Sequence, residues 1–329
     1  MSFTHEDPYL SLTLGAVAVS TAALVYAFTR NRAKRPGQKR SPTISHVIIY
    51  PIKGCKGIER YSATLTDEGL VGDRQYCLIV PDSSASVGWT TLGQTKCPKL
   101  AKISVSMPAS VDMLEVSAPD ASPLKIRCNM NGVQREVKFW DWIIRVVDQG
   151  DETSRWFSEY LGVDCRLCRI LPGMNRTDIK KGTVSKNSLY YAHAVLVMAN
   201  ESIDSIASAV GEDIGYNRFR PNIVLKNVDL PFQEDLFSSV SSKTWTMHGA
   251  ELCVRCSYPG VNQTTGVLDP SLVGKFRSLR NKNFIKMNPI YQEPAKVWKH
   301  NDYMVGVYMK PAEGTNSRVF VGQEIRPGY

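Results

Sequence analysis

A chain of 329 residues with 43% apolar and 22% charged content is long enough for two modest domains with genuine cores, and is neither disordered nor fibrous. The net charge is +9, unevenly spread: residues 1–40 hold six basic side chains against Glu6 and Asp7, a net +4, which leaves +5 for the body. Without an arginine-rich tract or a basic-aromatic repeat, that mild excess argues against nucleic-acid binding and suits an acidic partner or a phosphate-bearing ligand.

Leu10 to Phe28 is nineteen residues without a charge, roughly 28 Å as a helix and close to the thickness of a hydrocarbon core. Its acidic start and trailing basic cluster reverse the order of a cleaved signal peptide. A retained transmembrane helix is predicted, with everything after it on the cytosolic side. A buried core helix is the competing reading, and the polar tether "NRAKRPGQKRSPT" that follows at once counts against it. The globular part is predicted to begin near Ser45.

From there to about Val147 the pattern is strands: "HVIIYPIK", "QYCLIV", "AKISVSM", "MLEVSA", "LKIRC" and "WIIRVV" are alternating or β-branched runs bounded by turn residues. "DETSRWFSEYLG" predicts a helix, with Asp151 as its cap, Trp156, Phe157, Tyr160 and Leu161 on one face, and Gly162 ending it. Strands return at "CRLCRI" and "AVLVM". "NESIDSIASAVG" predicts a second helix, capped by Asn200 and ended by Gly211, with Ile203, Ile206 and Val210 on one face. Further strands are read at "NIVL", "ELCVRC", "YMVGVYM" and "SRVFVGQEI". The expected class is α+β, mainly antiparallel β and barrel-like, with a few helices packed on it.

Eight cysteines invite a disulfide or zinc reading. A core of this size needs no staples, and cysteines among apolar strands are more often buried thiols, so a reducing compartment is favoured. Cys165-x-x-Cys168 and Cys253-x-x-Cys256 would give four thiolates, but 84 residues separate the pairs, too far for a compact zinc ribbon. Cys165 and Cys168 also fall in an apparent strand, where such spacing points them to opposite faces. A thioredoxin-like redox pair would want a strand-to-helix turn, and "SYPG" follows Cys256 instead. The chain has no Walker A motif, G-x-G-x-x-G, haem-attachment motif or iron–sulfur spacing, and its five histidines show no metal-ligand pattern.

The cations are more informative. Lys53 and Lys56 lie in the glycine-rich turn "YPIKGCKG", and Arg74 precedes the strand "QYCLIV". Arg218 and Arg220 precede Pro221, Asn222 and the strand "NIVL", and Arg255 sits between the paired cysteines. Each alone is a solvated loop charge. Together, cations at strand edges beside Gly and Pro turns can converge on a phosphate.

The stretches "YPIKGCKGIE", "GDRQYCLIV", "DQGDETSRWFSEYLG", "RFRPNIVL" and "CVRCSYPGVNQTTG" stand in the order seen in MOSC proteins, and the sequence resembles that family from about His46 onward. With the N-terminal apolar run it is similar to the mitochondrial amidoxime-reducing components within it. The resemblance implies an anchor and tether over 1–40, a MOSC N-terminal β-barrel-like domain over 41–165 and a MOSC domain over 166–329. It implies a molybdenum–molybdopterin cofactor with Cys256 as the metal-bound thiolate and catalytic centre and Cys253 as a buried neighbour. Lys53, Gly54, Arg74, Arg220, Asn222 and Arg255 match the remaining cofactor contacts. One departure stands at "LYYAHAV": Tyr191, Ala192 and His193 replace the family's short Asp- and hydroxyl-containing stretch. His193 there is either a hydrogen-bonding and acidic substitute near the metal or a structural histidine. "WTTLGQTKCPKL" departs from the family's usual spacing as well.

The implied reaction is reduction of N-hydroxylated compounds, an amidoxime giving the amidine and water. Lacking a redox centre of its own beyond the cofactor, the chain is expected to take electrons from NADH through cytochrome b5 reductase and cytochrome b5. The implied location is the outer mitochondrial membrane facing the cytosol, with the endoplasmic reticulum as the alternative. A non-catalytic cofactor-binding or sulfur-carrying MOSC module is the alternative function, and a zinc-stabilised membrane-tethered structural protein is a third.

Overall fold

Period-two alternation over five segments closes a barrel. The computed structural model describes residues 41–107, 112–173, 175–178, 184–186, 189, 195–281, 283, 285–292 and 302–329. The anchor and tether, and with them Tyr191, Ala192 and His193, lie outside the described residues. Strand Tyr76–Pro81 pairs with Trp89–Thr91 on one side and with Arg166–Ile170 on the other. Arg166–Ile170 pairs with Trp142–Asp148, which pairs with Gln134–Phe139, and that strand returns to Trp89–Thr91 in parallel. Closure removes the free edges. Alternate residues from four strands, Cys77 and Ile79, Val137 and Phe139, Ile144 and Val146, Cys168 and Ile170, form one buried cluster. Their neighbours Tyr76, Leu78, Cys165 and Leu167 belong to another, completed by helix Asp151–Leu161 and the meander Ser104–Ser106, Met113–Ala118 and Ala121–Arg127. Cys165 and Cys168 therefore sit in different cores, as strand alternation requires.

The larger sheet has eight strands, in the order Ile58–Arg60, Thr43–Ile49, Ile223–Lys226, Val195–Ala199, Tyr303–Glu313, Thr246–Arg255, Ser239–Ser241 and Arg326–Gly328. Among the described residues the path thus starts in this sheet, crosses to the barrel and returns. Val47 and Ile49 face one core while Ile48 and Tyr50 face the other, which helices Asn200–Val210 and Pro270–Arg280 cover. All its pairings are antiparallel except Val195–Ala199 with Ile223–Lys226, which run parallel across helix Asn200–Val210. The expectation of mainly antiparallel β holds, with this pair and the barrel's closing pair as parallel exceptions; here a helix between the two strands brings them back in the same direction.

Two capping expectations shift by one residue. Gly150 and Ala199 hold the cap positions, so Asp151 and Asn200 are the first helical residues, while Gly162 and Gly211 close the helices in the left-handed conformation as expected. The helix Pro270–Arg280 was not expected from the sequence; Asp269 caps it, its Oδ1 accepting the N–H groups of Ser271 and Leu272. Among the described residues no helix is long and apolar enough to cross a membrane.

Candidate functional site

Four chain segments meet where the barrel abuts the large sheet: the turn after Thr43–Ile49, the turn before Tyr76–Pro81, the run before Ile223–Lys226, and the end of Thr246–Arg255. Asp73, fully buried, organises them. Its Oδ1 accepts the Tyr50 N–H at 2.6 Å, and its Oδ2 accepts Asn222 Nδ2 at 2.9 Å and the Arg74 guanidinium. Asn222 spans three strands: Nδ2 also donates to Ile48 O at 3.1 Å, and Oδ1 accepts the Leu196 N–H at 3.2 Å and Arg74 Nη1 at 3.1 Å. Its role is to fix the frame and orient Arg74.

Arg74 and Arg220 both adopt left-handed backbones, with φ of 49° and 57°, a conformation uncommon for residues with a side chain and concentrated at functional sites. Arg220 is 8% exposed. Its guanidinium donates to Cys55 O at 2.7 Å and lies 4.1 Å from the Tyr50 ring centre and 5.7 Å from that of Tyr258. Arg74 approaches the same Tyr50 ring at 5.1 Å. The Tyr50 hydroxyl is buried and has no hydrogen-bond partner among the described residues. Burial pushes its phenol up strongly against the pull of both arginines, and burial pushes Tyr258 up to about 12.

Lys53 stands at the barrel end. Its Nζ donates to Leu92 O at 3.0 Å and lies 5.8 Å from the Phe139 ring centre, over the apolar barrel cluster. Burial there lowers its ammonium to about 8. Gly54, with φ of +95°, makes the turn beside it, and a Cβ would meet Leu100 Cδ1 at 3.1 Å. The Gly54 carbonyl is held by Gln94 Nε2 at 2.6 Å, and Gln94 exchanges amide hydrogen bonds with Gln263 at 3.0 and 2.8 Å. That buried pair ties the barrel loop to the "NQTTG" loop.

Of the eight free cysteines, Cys256 is the exposed one. Lys53, Tyr258 and Tyr303 lie within its electrostatic reach, and the Tyr303 hydroxyl donates to its carbonyl at 2.9 Å. Cys253 is buried, and burial pushes its thiol up.

The structure brings Lys53, Gly54, Arg74, Arg220, Asn222 and Cys256 together. Arg255 turns away from the site: Nε and Nη2 donate to Val305 O at 2.9 and 2.6 Å, and Nη1 to Phe219 O at 2.8 Å. Those bonds fix the Phe219 and Val305 backbones. Arg218 is likewise committed, donating to Pro259 O at 3.2 Å beneath the Tyr258–Gly260 turn. Sequence reasoning missed Tyr50, Asp73, Tyr258 and the Gln94–Gln263 pair. Only Asp73 had a local signal, an acid beside Arg74 in "GDR".

The comparisons agree with this architecture. The MOSC N-terminal beta barrel domain family matches residues 41–164, and the MOSC domain family matches residues 182–328. The rat protein "Mitochondrial amidoxime reducing component 2" is 26% identical over 275 residues, which is 79% of each chain. The mouse protein "Mitochondrial amidoxime-reducing component 1" is 27% identical over 282 residues, 79% of this chain and 78% of that one. The "Molybdenum cofactor sulfurase" of Oryza sativa subsp. japonica is 26% identical over 245 residues, 68% of this chain but 29% of that longer protein. With both of its domains matched in order, the chain belongs to the MOSC family, as an N-terminal MOSC beta barrel followed by a MOSC domain.

Proposed function

We propose that the chain binds a molybdenum–molybdopterin cofactor through the Cys256 thiolate and reduces N-hydroxylated compounds such as amidoximes. The observation that carries this reading is the singular position of Cys256, an exposed thiol within electrostatic reach of Lys53 and of Tyr258, which Arg220 and Arg74 also approach. The residues fit the group: a soft thiolate suits molybdenum, and cations suit a pterin phosphate. A further feature fits a bound group, the buried Tyr50 hydroxyl, which faces two guanidiniums and has no hydrogen-bond partner among the described residues.

When bound, the group would supply the two-electron redox centre. The polypeptide does the rest. Asp73 and Asn222 orient Arg74, and the Arg220 guanidinium fixes the Lys53–Cys55 turn through the Cys55 carbonyl. Lys53 Nζ keeps its proton at pH 7 and presents a positive charge. An anion beside Lys53 and Arg220 would relieve the cost of holding both charges out of water. His193, outside the described residues, is proposed as a proton donor in the reaction.

Electrons are proposed to come from NADH through cytochrome b5 reductase and cytochrome b5, whose acidic surface suits the +5 body. The anchor at residues 10–28 is proposed to hold the chain on the outer mitochondrial membrane, and the rat and mouse relatives carry "mitochondrial" in their names. The sulfurase likeness supports a second reading, a MOSC module that binds the cofactor without catalysis. An NADH-driven benzamidoxime assay with purified b5 components separates the two. Turnover supports the reductase, and a cofactor-loaded protein inert toward every N-hydroxylated substrate supports the module.

A further inference from the structure

Away from the cofactor site, the barrel carries a second thiol with charged company. Cys128 follows strand Ala121–Arg127, is half-buried, and donates its N–H to Asp112 O at 2.8 Å. Arg169, 9% exposed, aims Nη1 at the Cys128 sulfur and also at Asp112 Oδ1, 2.7 Å away. Across the sheet from Arg169, Tyr76 places its ring 5.6 Å from the guanidinium and its hydroxyl beside the same sulfur. Arg169 Nε is buried and has no hydrogen-bond partner among the described residues, and the Tyr76 hydroxyl is buried against the sulfur itself. Tyr76 is 1% exposed. Such a set of donors can stabilise negative charge as it develops on an attacking or departing sulfur. Asp112 competes for the guanidinium, but its side chain is 61% exposed, so water screens its pull.

The geometry points to Cys128 as a nucleophilic cysteine, open to S-thiolation by an anionic low-molecular-weight disulfide of the glutathione class. The Cys128 thiolate attacks one sulfur of the disulfide. One S–S bond breaks, one forms, and the departing thiolate takes a proton from water, so the exchange needs no further oxidant. Arg169 stabilises the attacking sulfur, and the exposed Arg127 next to it offers a cation to the incoming carboxylates. The other thiols away from Cys256 lack this setting. Cys55, Cys77, Cys165, Cys168 and Cys253 are buried, and burial pushes the half-buried Cys97 up. An adduct would also press on Tyr76, whose carbonyl accepts the Lys53 N–H at 2.8 Å and whose N–H donates to Pro51 O at 2.9 Å. That consequence alone rests on the proposed function.

The test incubates the full chain with glutathione disulfide and follows each cysteine by peptide mass spectrometry. Cys128 should form its mixed disulfide about tenfold faster than Cys97, and Arg169→Met should slow it about tenfold. The five buried cysteines report whether each variant stays folded. Asp112→Asn, which removes the competing carboxylate, should speed Cys128 roughly two- to threefold, and it decides the matter if Arg169→Met exposes the buried thiols. A Cys128 that reacts no faster than Cys97, or whose rate neither variant moves, overturns the proposal.

Discussion

Asp73 takes hydrogen bonds from the Tyr50 backbone, the Asn222 amide and the Arg74 guanidinium, and no part of it is exposed. In Asp73→Asn one oxygen still accepts the Tyr50 N–H. The new amide nitrogen then confronts two other donors, and Arg74 loses its carboxylate. Breaking a buried pair by neutralising one partner costs about 3–5 kcal/mol. Arg74 is 16% exposed and can recruit some water, so the lower end, about 3 kcal/mol, applies. For a unit as large as Ser41–Tyr329, that corresponds to a fall in melting temperature of roughly 6–10 °C, read by near-ultraviolet circular dichroism at pH 7. Because Asp73 also aims Arg74, the variant should lose molybdenum and pterin below its melting temperature. A shift under about 2 °C with cofactor content unchanged would refute the assignment of Asp73 as the organising residue.

Lys53→Met should separate stability from function. The folded ammonium value is lowered to about 8, so the cofactor-free chain carries a penalty that is fully present below pH 8 and is relieved as pH rises toward the unfolded value. The variant should be about 1–2 kcal/mol more stable than the parent at pH 7 without cofactor, yet retain less of it; a less stable cofactor-free variant would contradict this. Gly54→Ala should cost about 1–2 kcal/mol through its left-handed backbone and the crowding at Leu100, and urea unfolding that matches the parent would count against it. Burial holds Glu234 at about 7 and Asp235 at about 6, both raised. The folded state therefore binds more protons than the unfolded one between about pH 4.5 and 7, and these groups lower stability as pH rises through that window. Glu234→Gln should flatten that fall by about 2 kcal/mol, and thermal melts whose pH dependence is unchanged would exclude it.

The strands were legible as apolar runs bounded by turn residues, because Val47–Tyr50 and Tyr76–Ile79 each serve two cores and are buried on both faces. The helix starts were less so. At Asn200–Val210 the capping acceptor is Glu234, more than thirty residues away, which takes the Ala199 N–H and the Ser202 hydroxyl; a local window holds no trace of it. Helix Pro270–Arg280 did carry a signal, Asp269 then Pro270 with Leu272, Val273 and Phe276 on one side, but Lys275, Arg277 and Arg280 obscure its stripe. In the site, motif order singled out Lys53, Arg74, Arg220 and Cys256, and the fold gathers the segments that carry them. The resemblance gave Arg255 to the cofactor by its place in the C-x-R-C stretch, whereas its guanidinium is committed to the Val305 and Phe219 carbonyls. Tyr50, Tyr258 and the Gln94–Gln263 pair join the site through contacts between distant segments, which motif spacing does not encode.

The most direct measurement is molybdenum stoichiometry with X-ray absorption at the molybdenum edge, on the purified full chain and on Cys256→Ser and Cys253→Ser. About one molybdenum per chain is expected, with a protein sulfur bonded to it that Cys256→Ser removes and Cys253→Ser leaves in place. A parent chain without molybdenum, or an identical sulfur shell in folded Cys256→Ser, would contradict the account at its centre.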